Sequence, residues 1–157
     1  MLFYLLRHAA AEDDAPSDAA RDLTTAGQAQ AQAVGDFCAR KHIRPALILT
    51  SPYRRTVQTA EAVAGALGLE NVVQEERFLS SGVEPETALA ELQAFGWAQS
   101  LLVVGHQPDL GLLAGTLLGL TSPGGLPFGK AMLVCLRLDR FAPYAGSLEF
   151  ALPVKLM

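Results

Sequence analysis

Residues 2–8 read LFYLLRH. Five apolar residues in a row, with no polar alternation, suit a strand covered on both faces, and such strands belong to parallel α/β sheets. The run stops on Arg7 and His8, two side chains that a buried strand excludes unless they are paired, so the chain is expected to leave the core there. Residues 46–50 (ALILT) and 101–105 (LLVVG) repeat the pattern, and residues 131–138 (AMLVCLRL), 147–152 (SLEFAL) and 72–75 (VVQE) read as further strands.

Helical spacing fills the intervals. In residues 26–42, Ala29, Ala33, Val34, Phe37 and Cys38 form one apolar face, and Thr25 with Gln28 fits a capping box at its start. Val57, Ala60, Ala64 and Leu67 repeat the theme over residues 54–67, and Leu89, Leu92 and Phe95 mark a helix after Pro85. A fourth helix starts near Pro108 and is apolar nearly all round, as a buried helix is. Strands and helices in this alternation predict a three-layer α/β/α sandwich with a mostly parallel central sheet. The turn formers gather at 9–24 and 121–130, neither stretch long enough for a separate domain, so residues 1–157 are expected to form one domain.

Half of the residues are hydrophobic and 18% are charged, which excludes a disordered chain. A net charge of -4 and a pI near 5.3 set the overall field against nucleic acid and against an anionic membrane. No signal-peptide pattern opens the chain, and the apolar segment around residues 110–120 is too short to span a bilayer, so a cytoplasmic protein is expected. Cys38 and Cys135, far apart in apolar segments, read as reduced core thiols. The oligomeric state is left open, a monomer being compatible with the sequence.

The chemistry gathers where the apolar strands end. Arg7 and His8 follow the first, Ser51, Arg54 and Arg55 the second, and His106 the strand LLVVG. Ligand crevices in open parallel sheets lie outside the carboxyl ends of the strands, so these groups can converge across about 100 residues of sequence. Two guanidinium groups offer paired donors to phosphoryl oxygens and a neutral imidazole offers a nucleophilic nitrogen, a set that describes phosphoryl transfer. Helix starts near Arg54 and Pro108 add dipoles that favour an anion.

These stretches resemble a known family. LLRHAAAE is similar to the RHG signature of the histidine phosphatase superfamily, also called the phosphoglycerate mutase-like family. TSPYRRTVQTA resembles its second arginine motif and VVGHQP its second histidine motif, while SDAARDLTTAGQAQA resembles the SixA-type phosphohistidine phosphatases. The motifs stand in family order over residues 3–108. The resemblance implies that His8 is the nucleophile, that Arg7 and Arg55 bind the phosphoryl group, and that His106 donates a hydrogen bond to it. Arg55 is the family arginine rather than Arg54, because it stands four places after Ser51 and three before Gln58. Arg21, in the matching RxLT stretch, is implied at the pocket mouth, with an ion pair to Asp18 or Asp22 as the alternative. No cofactor and no metal are implied. The two imidazoles must then lie within roughly 10 Å, the span of one phosphoryl group hydrogen-bonded on each side.

Two departures from the family pattern bear on substrate. Ala9 replaces the usual glycine, which is tolerated if that backbone does not need a positive φ. The carboxyl that in many relatives protonates the leaving oxygen is expected within ERFLSSGVEPE (residues 76–86), where serines stand instead, with Glu75, Glu76 and Glu84 nearby. An alkoxide leaves poorly without that proton, by roughly 10²-fold or more, whereas the imidazole of a phosphohistidine is protonated by solvent. The implied substrate is a phosphohistidine-bearing protein of signalling or phosphotransfer. The alternatives are a small phosphorylated metabolite, cleaved by a broad phosphomonoesterase, and phosphate binding without turnover.

Other polar groups read more simply. His42 in RKHIR reads as a solvated residue at a helix end, Arg54 as a surface charge or a residue of the pocket rim, and Glu12, Asp13 and Asp14 as a solvated acidic loop, with substrate selection or proton donation beside the pocket as its alternative. SPGGLPFGK lacks the spacing of a nucleotide-binding loop, and His8 and His106 lack the HxxxH or HxH spacing of a metal site.

Overall fold

The computed structural model describes residues 1–122 and 124–157; Pro123, part of the turn-rich stretch 121–130, lies outside the described residues. Six strands form one sheet: β1 (Leu2–Arg7), β2 (Leu47–Thr50), β3 (Val73–Glu75), β4 (Ser100–Gly105), β5 (Leu133–Leu138) and β6 (Gly146–Leu152). Their order is β3-β2-β4-β1-β5-β6. The pairs β1–β4, β2–β4 and β2–β3 are parallel. The pairs β1–β5 and β5–β6 are antiparallel. The last pair follows from its direct connection, since neighbouring strands joined without a crossover must run in opposite directions. The expected three-layer sandwich with a mostly parallel sheet is therefore observed.

Four α-helices cover the sheet: α1 (Thr25–Arg40), α2 (Arg54–Leu67), α3 (Pro85–Leu92) and α4 (Asp109–Leu118). Alternate residues of each strand serve opposite layers, as the two-residue period of a strand demands. Phe3, Leu5, Leu49, Leu101 and Val103 pack with Leu89 and Leu92 of α3 and with Leu113 and Leu117 of α4. Tyr4, Leu6, Ile48, Leu102 and Val104 pack with Val34 and Cys38 of α1 and with Ala60 and Val63 of α2. Both faces of β1, β2 and β4 are thus dry, which is why their sequences show no alternation. Cys38 and Cys135 are free, buried thiols, and burial pushes both up to about 11.

The start of α1 differs from the sequence expectation by one residue. Thr24, not Thr25, is the cap, and its hydroxyl accepts from the Gly27 amide at 2.9 Å, so no capping box with Gln28 forms. The reason lies outside the helix: Thr24 is also tied by its own amide to Ala10 O at 3.0 Å. A Cβ on Gly27 would stand 1.9 Å from that same Ala10 oxygen. Glycine at this position lets α1 press against the backbone that follows His8.

The sheet order places the strand ends that matter side by side. β4 lies between β2 and β1, with Thr50 opposite Val104 and Arg7 opposite Gly105. The pairing continues one step past the strands, through Ser51 N–H to Val104 O at 3.1 Å and His8 N–H to Gly105 O at 3.0 Å. Ser51, His106 and His8 consequently emerge abreast at one edge. No helix among the described residues is long and apolar enough to cross a membrane.

Candidate active site

His8 and His106 are 7% and 2% exposed, and their ring centroids lie 5.4 Å apart, well inside the limit set from sequence. Arg55, at the start of α2, joins them. Its Nε–H donates to His8 Nε2 at 3.3 Å, and its Nη2 lies 3.3 Å from His106 Nδ1. A buried cation needs partners. Arg55 is 4% exposed, and Asp18 supplies its remaining ones, accepting from Nη1 with its backbone oxygen at 2.6 Å and from Nη2 with Oδ2 at 3.0 Å. Burial works against ionisation of Asp18, but hydrogen bonds from Arg55 and Arg21 outweigh it and hold the carboxyl below its usual range.

Arg7 ends β1 beside this group. Its Nη1–H donates to Phe128 O at 2.8 Å, whereas its buried Nε finds no partner among the described residues. Burial, then the neighbouring charge of Arg55, draws the Arg7 pKa below its ordinary value. Among the described residues, Asp18 is the carboxylate paired with Arg55, so two arginines share the pocket with one directly bonded carboxylate although the chain as a whole is negative.

Each imidazole is kept neutral. Burial, followed by the charges of Arg55, Arg7 and Lys130, pushes His8 down to about 4, with the carbonyl of Ala9 opposing in part. Burial, then Arg55 and His8, pushes His106 down to about 3 against the opposing charge of Asp18. A carbonyl only accepts, so the 2.7 Å contact between His8 Nδ1 and Ala9 O places the proton on Nδ1 and leaves a lone pair on Nε2. His106 Nε2 lies 2.8 Å from Ser51 Oγ. Ala9 is fully buried, is absent from the positive-φ residues, and donates its amide to Thr59 Oγ1 at 3.2 Å, so the glycine of the usual motif is not required here.

The structure brings Arg7, His8, Arg55 and His106 together and leaves the other marked residues around them. Arg21 directs its guanidinium to Glu12 O, to Asp13 at 2.9 Å and to Asp18 at 3.1 Å, so it reaches the cluster through Asp18. Arg54 pairs with Asp22 at 2.7 Å on the surface. His42 is exposed past the end of α1. Glu75 and Glu84 are also exposed, and the amide of Glu76 is tied to Thr50 O at 2.8 Å.

Several neighbours carry no signal in the sequence. Tyr53 sets its ring edge against His106 at 4.9 Å between centroids, and the Arg55 guanidinium carbon stands 5.0 Å from the Tyr53 ring centre. Ser80 and Asp109 line a small recess beside His106, where Asp109 accepts from the Gly82 amide at 3.1 Å. Burial raises the Asp109 pKa despite that hydrogen bond, with Glu84 adding to the rise. Phe128 and Lys130 come from the loop before β5, which Ala131, at φ 52°, folds so that its amide meets His8 O at 3.3 Å. The sequence points to Ser80 only as one of the serines of segment 76–86, to Ser51 only as a strand-end residue and to Asp18 only as a partner for Arg21.

The chain belongs to the histidine phosphatase superfamily (branch 1), whose family model matches residues 3–79. Within that family it is of the SixA type. It is 29% identical over 143 residues to phosphohistidine phosphatase SixA of Escherichia coli (strain K12), spanning 88% of this chain and 86% of that protein. The structure of the protein histidine phosphatase SixA complexed with tungstate superposes with a TM-score of 0.87 at 27% identity, over 99% of this chain and 98% of that one. A protein of Agrobacterium tumefaciens assigned as a phosphohistidine phosphatase SixA is 30% identical, with a TM-score of 0.81 over 97% of both chains.

Proposed function

We propose that this chain is a phosphatase that works through a phosphohistidine on His8 and removes phosphate from a phosphohistidine carried by a signalling or phosphotransfer protein. The observation that carries the reading is one buried guanidinium, Arg55, within 3.3 Å of nitrogens on two neutral imidazoles. The Nε2 lone pair of His8 attacks phosphorus, the bond from phosphorus to the substrate nitrogen breaks, and the departing imidazole takes a proton from solvent. Water then attacks the phosphorus on His8 and inorganic phosphate leaves. Arg7 and Arg55 carry the negative charge of the equatorial oxygens through both steps, and His106 donates to one of them. The SixA structure that holds tungstate, a tetrahedral oxyanion, is consistent with this use of the pocket.

The segment 76–86 supports this reading of the substrate. Serines stand where many relatives carry a general acid, and the one carboxyl of the recess beside His106, Asp109, spends Oδ2 on the Gly82 amide, which disfavours it as a donor to an alkoxide. Arg21 belongs to the binding machinery through Asp18, as a positioning residue for Arg55. Turnover of a phosphohistidine protein should exceed that of sugar phosphates in kcat/KM by roughly 10²-fold, the contribution of a general acid that only the alkoxide needs. Equal or faster turnover of sugar phosphates would establish a phosphomonoesterase of small metabolites instead. Full activity in excess chelator is expected in the same assays.

A further inference from the structure

The proposed reaction asks His106 to donate a hydrogen bond to a phosphoryl oxygen, and its own hydrogen bonds are set for the opposite. His106 is neutral, so one ring nitrogen carries a proton and the other a lone pair. Arg55 can only donate, so its Nη2 at 3.3 Å makes Nδ1 the acceptor, and the proton sits on Nε2, facing Ser51 Oγ at 2.8 Å. In that state the nitrogen on the Arg55 side presents a lone pair to any phosphoryl oxygen bound to Arg55, which is repulsive.

Among the described residues, Ser51 is the one hydrogen-bond partner of this ring able to reverse its role. A hydroxyl both donates and accepts, and Ser51 Oγ also receives the Tyr53 amide at 3.4 Å, so its own proton is free to turn toward His106. The hydroxyl is held in place for this. Ser51 is fully buried, its amide is bound to β4 through Val104 O at 3.1 Å, and its carbonyl accepts from Thr56 Oγ1 at 2.9 Å and Thr50 Oγ1 at 3.1 Å.

Resting on the proposed phosphatase reading, we infer that Ser51 is a positioning residue that switches the tautomer of His106. Without an anion it accepts from Nε2–H; when a tetrahedral oxyanion occupies the pocket it donates to Nε2, and Nδ1–H turns to the anion. Water carries the exchange: the Nε2 proton passes to water, Nδ1 takes one from water entering with the anion, the Arg55 Nη2–H that Nδ1 accepted turns to the anion, and the Ser51 hydroxyl reverses, so no net proton is gained.

Nitrogen-15 NMR of histidine-labelled protein at pH 7, alone and with tungstate, reads the two ring nitrogens directly. The expected result is Nε2–H on His106 in the free protein and Nδ1–H once tungstate is bound. Ser51→Ala should bind tungstate without the change of tautomer and lose kcat by about 10- to 100-fold, the scale of one hydrogen bond to a charged group, with a smaller change in KM; Ser51→Thr should recover most of the loss. His106 remaining Nε2–H with tungstate bound, or Ser51→Ala keeping its kcat within twofold, would overturn the switch while leaving the phosphatase reading intact. A wild-type protein that neither binds tungstate nor turns over an activated aryl phosphate would end both. The wild-type spectra decide even if the substituted proteins fail to fold.

Discussion

His8 and His106 are a matched pair in burial and in their shared donor Arg55, yet the groups behind them differ in kind. Behind His8 stands the Ala9 carbonyl, which can only accept; behind His106 stands the Ser51 hydroxyl, which can do either. A ring backed by a carbonyl is locked with its Nε2 lone pair forward, the state a nucleophile needs. A ring backed by a hydroxyl keeps the freedom to become a donor when an anion arrives. On the proposed reading, two histidines of one pocket take two tasks because their outer partners differ.

The largest expected effect comes from breaking the donor they share. Arg55→Lys puts one compact ammonium where a planar fork meets both rings and Asp18, so it cannot hold all three. The value of kcat/KM for an activated aryl phosphate should fall by about 10²- to 10³-fold, the scale of a lost oxyanion donor. A loss under threefold would mean that the fork geometry is immaterial and that Arg55 acts as a point charge.

Proton linkage tests whether both rings are in fact neutral. Unfolded histidine titrates near 6.5, whereas in the folded chain His8 is pushed down to about 4 and His106 to about 3. As pH falls from 6.5 toward 4, the unfolded state takes up protons that the folded state refuses, so stability drops in that window and returns as pH rises. Urea midpoints at pH 7 and pH 5 should show wild type losing stability on acidification, and His8→Ala and His106→Gln should each lose less. Equal losses in all three proteins would show that the rings are not protected from protonation.

Much of this architecture is legible in the sequence. The helix over 54–67 and the strands around 2–6, 46–50 and 101–105 could be read because burial on both sides leaves continuous apolar runs, and the strand ends then pointed to Arg7, His8, Arg55 and His106. The insertion of β4 between β1 and β2 could not be read, because strand order depends on packing that no local pattern records. The same holds for Asp18 against Arg55, for Phe128 O against Arg7 121 positions away, and for Lys130 near His8. These contacts arise from loops closing over the sheet edge and have no periodic signature. Thr24 displaced Thr25 as a cap for a similar reason, since its backbone is committed to Ala10.

The central claim is that His8, and not His106, carries the phosphoryl group. Rapid quenching of the wild-type protein with a phosphorus-32 aryl phosphate should trap an acid-labile, base-stable label that maps to His8, with none in His8→Ala and a slower but detectable yield in His106→Gln. Label on His106, or steady turnover with no acid-labile label at any quench time, would contradict it.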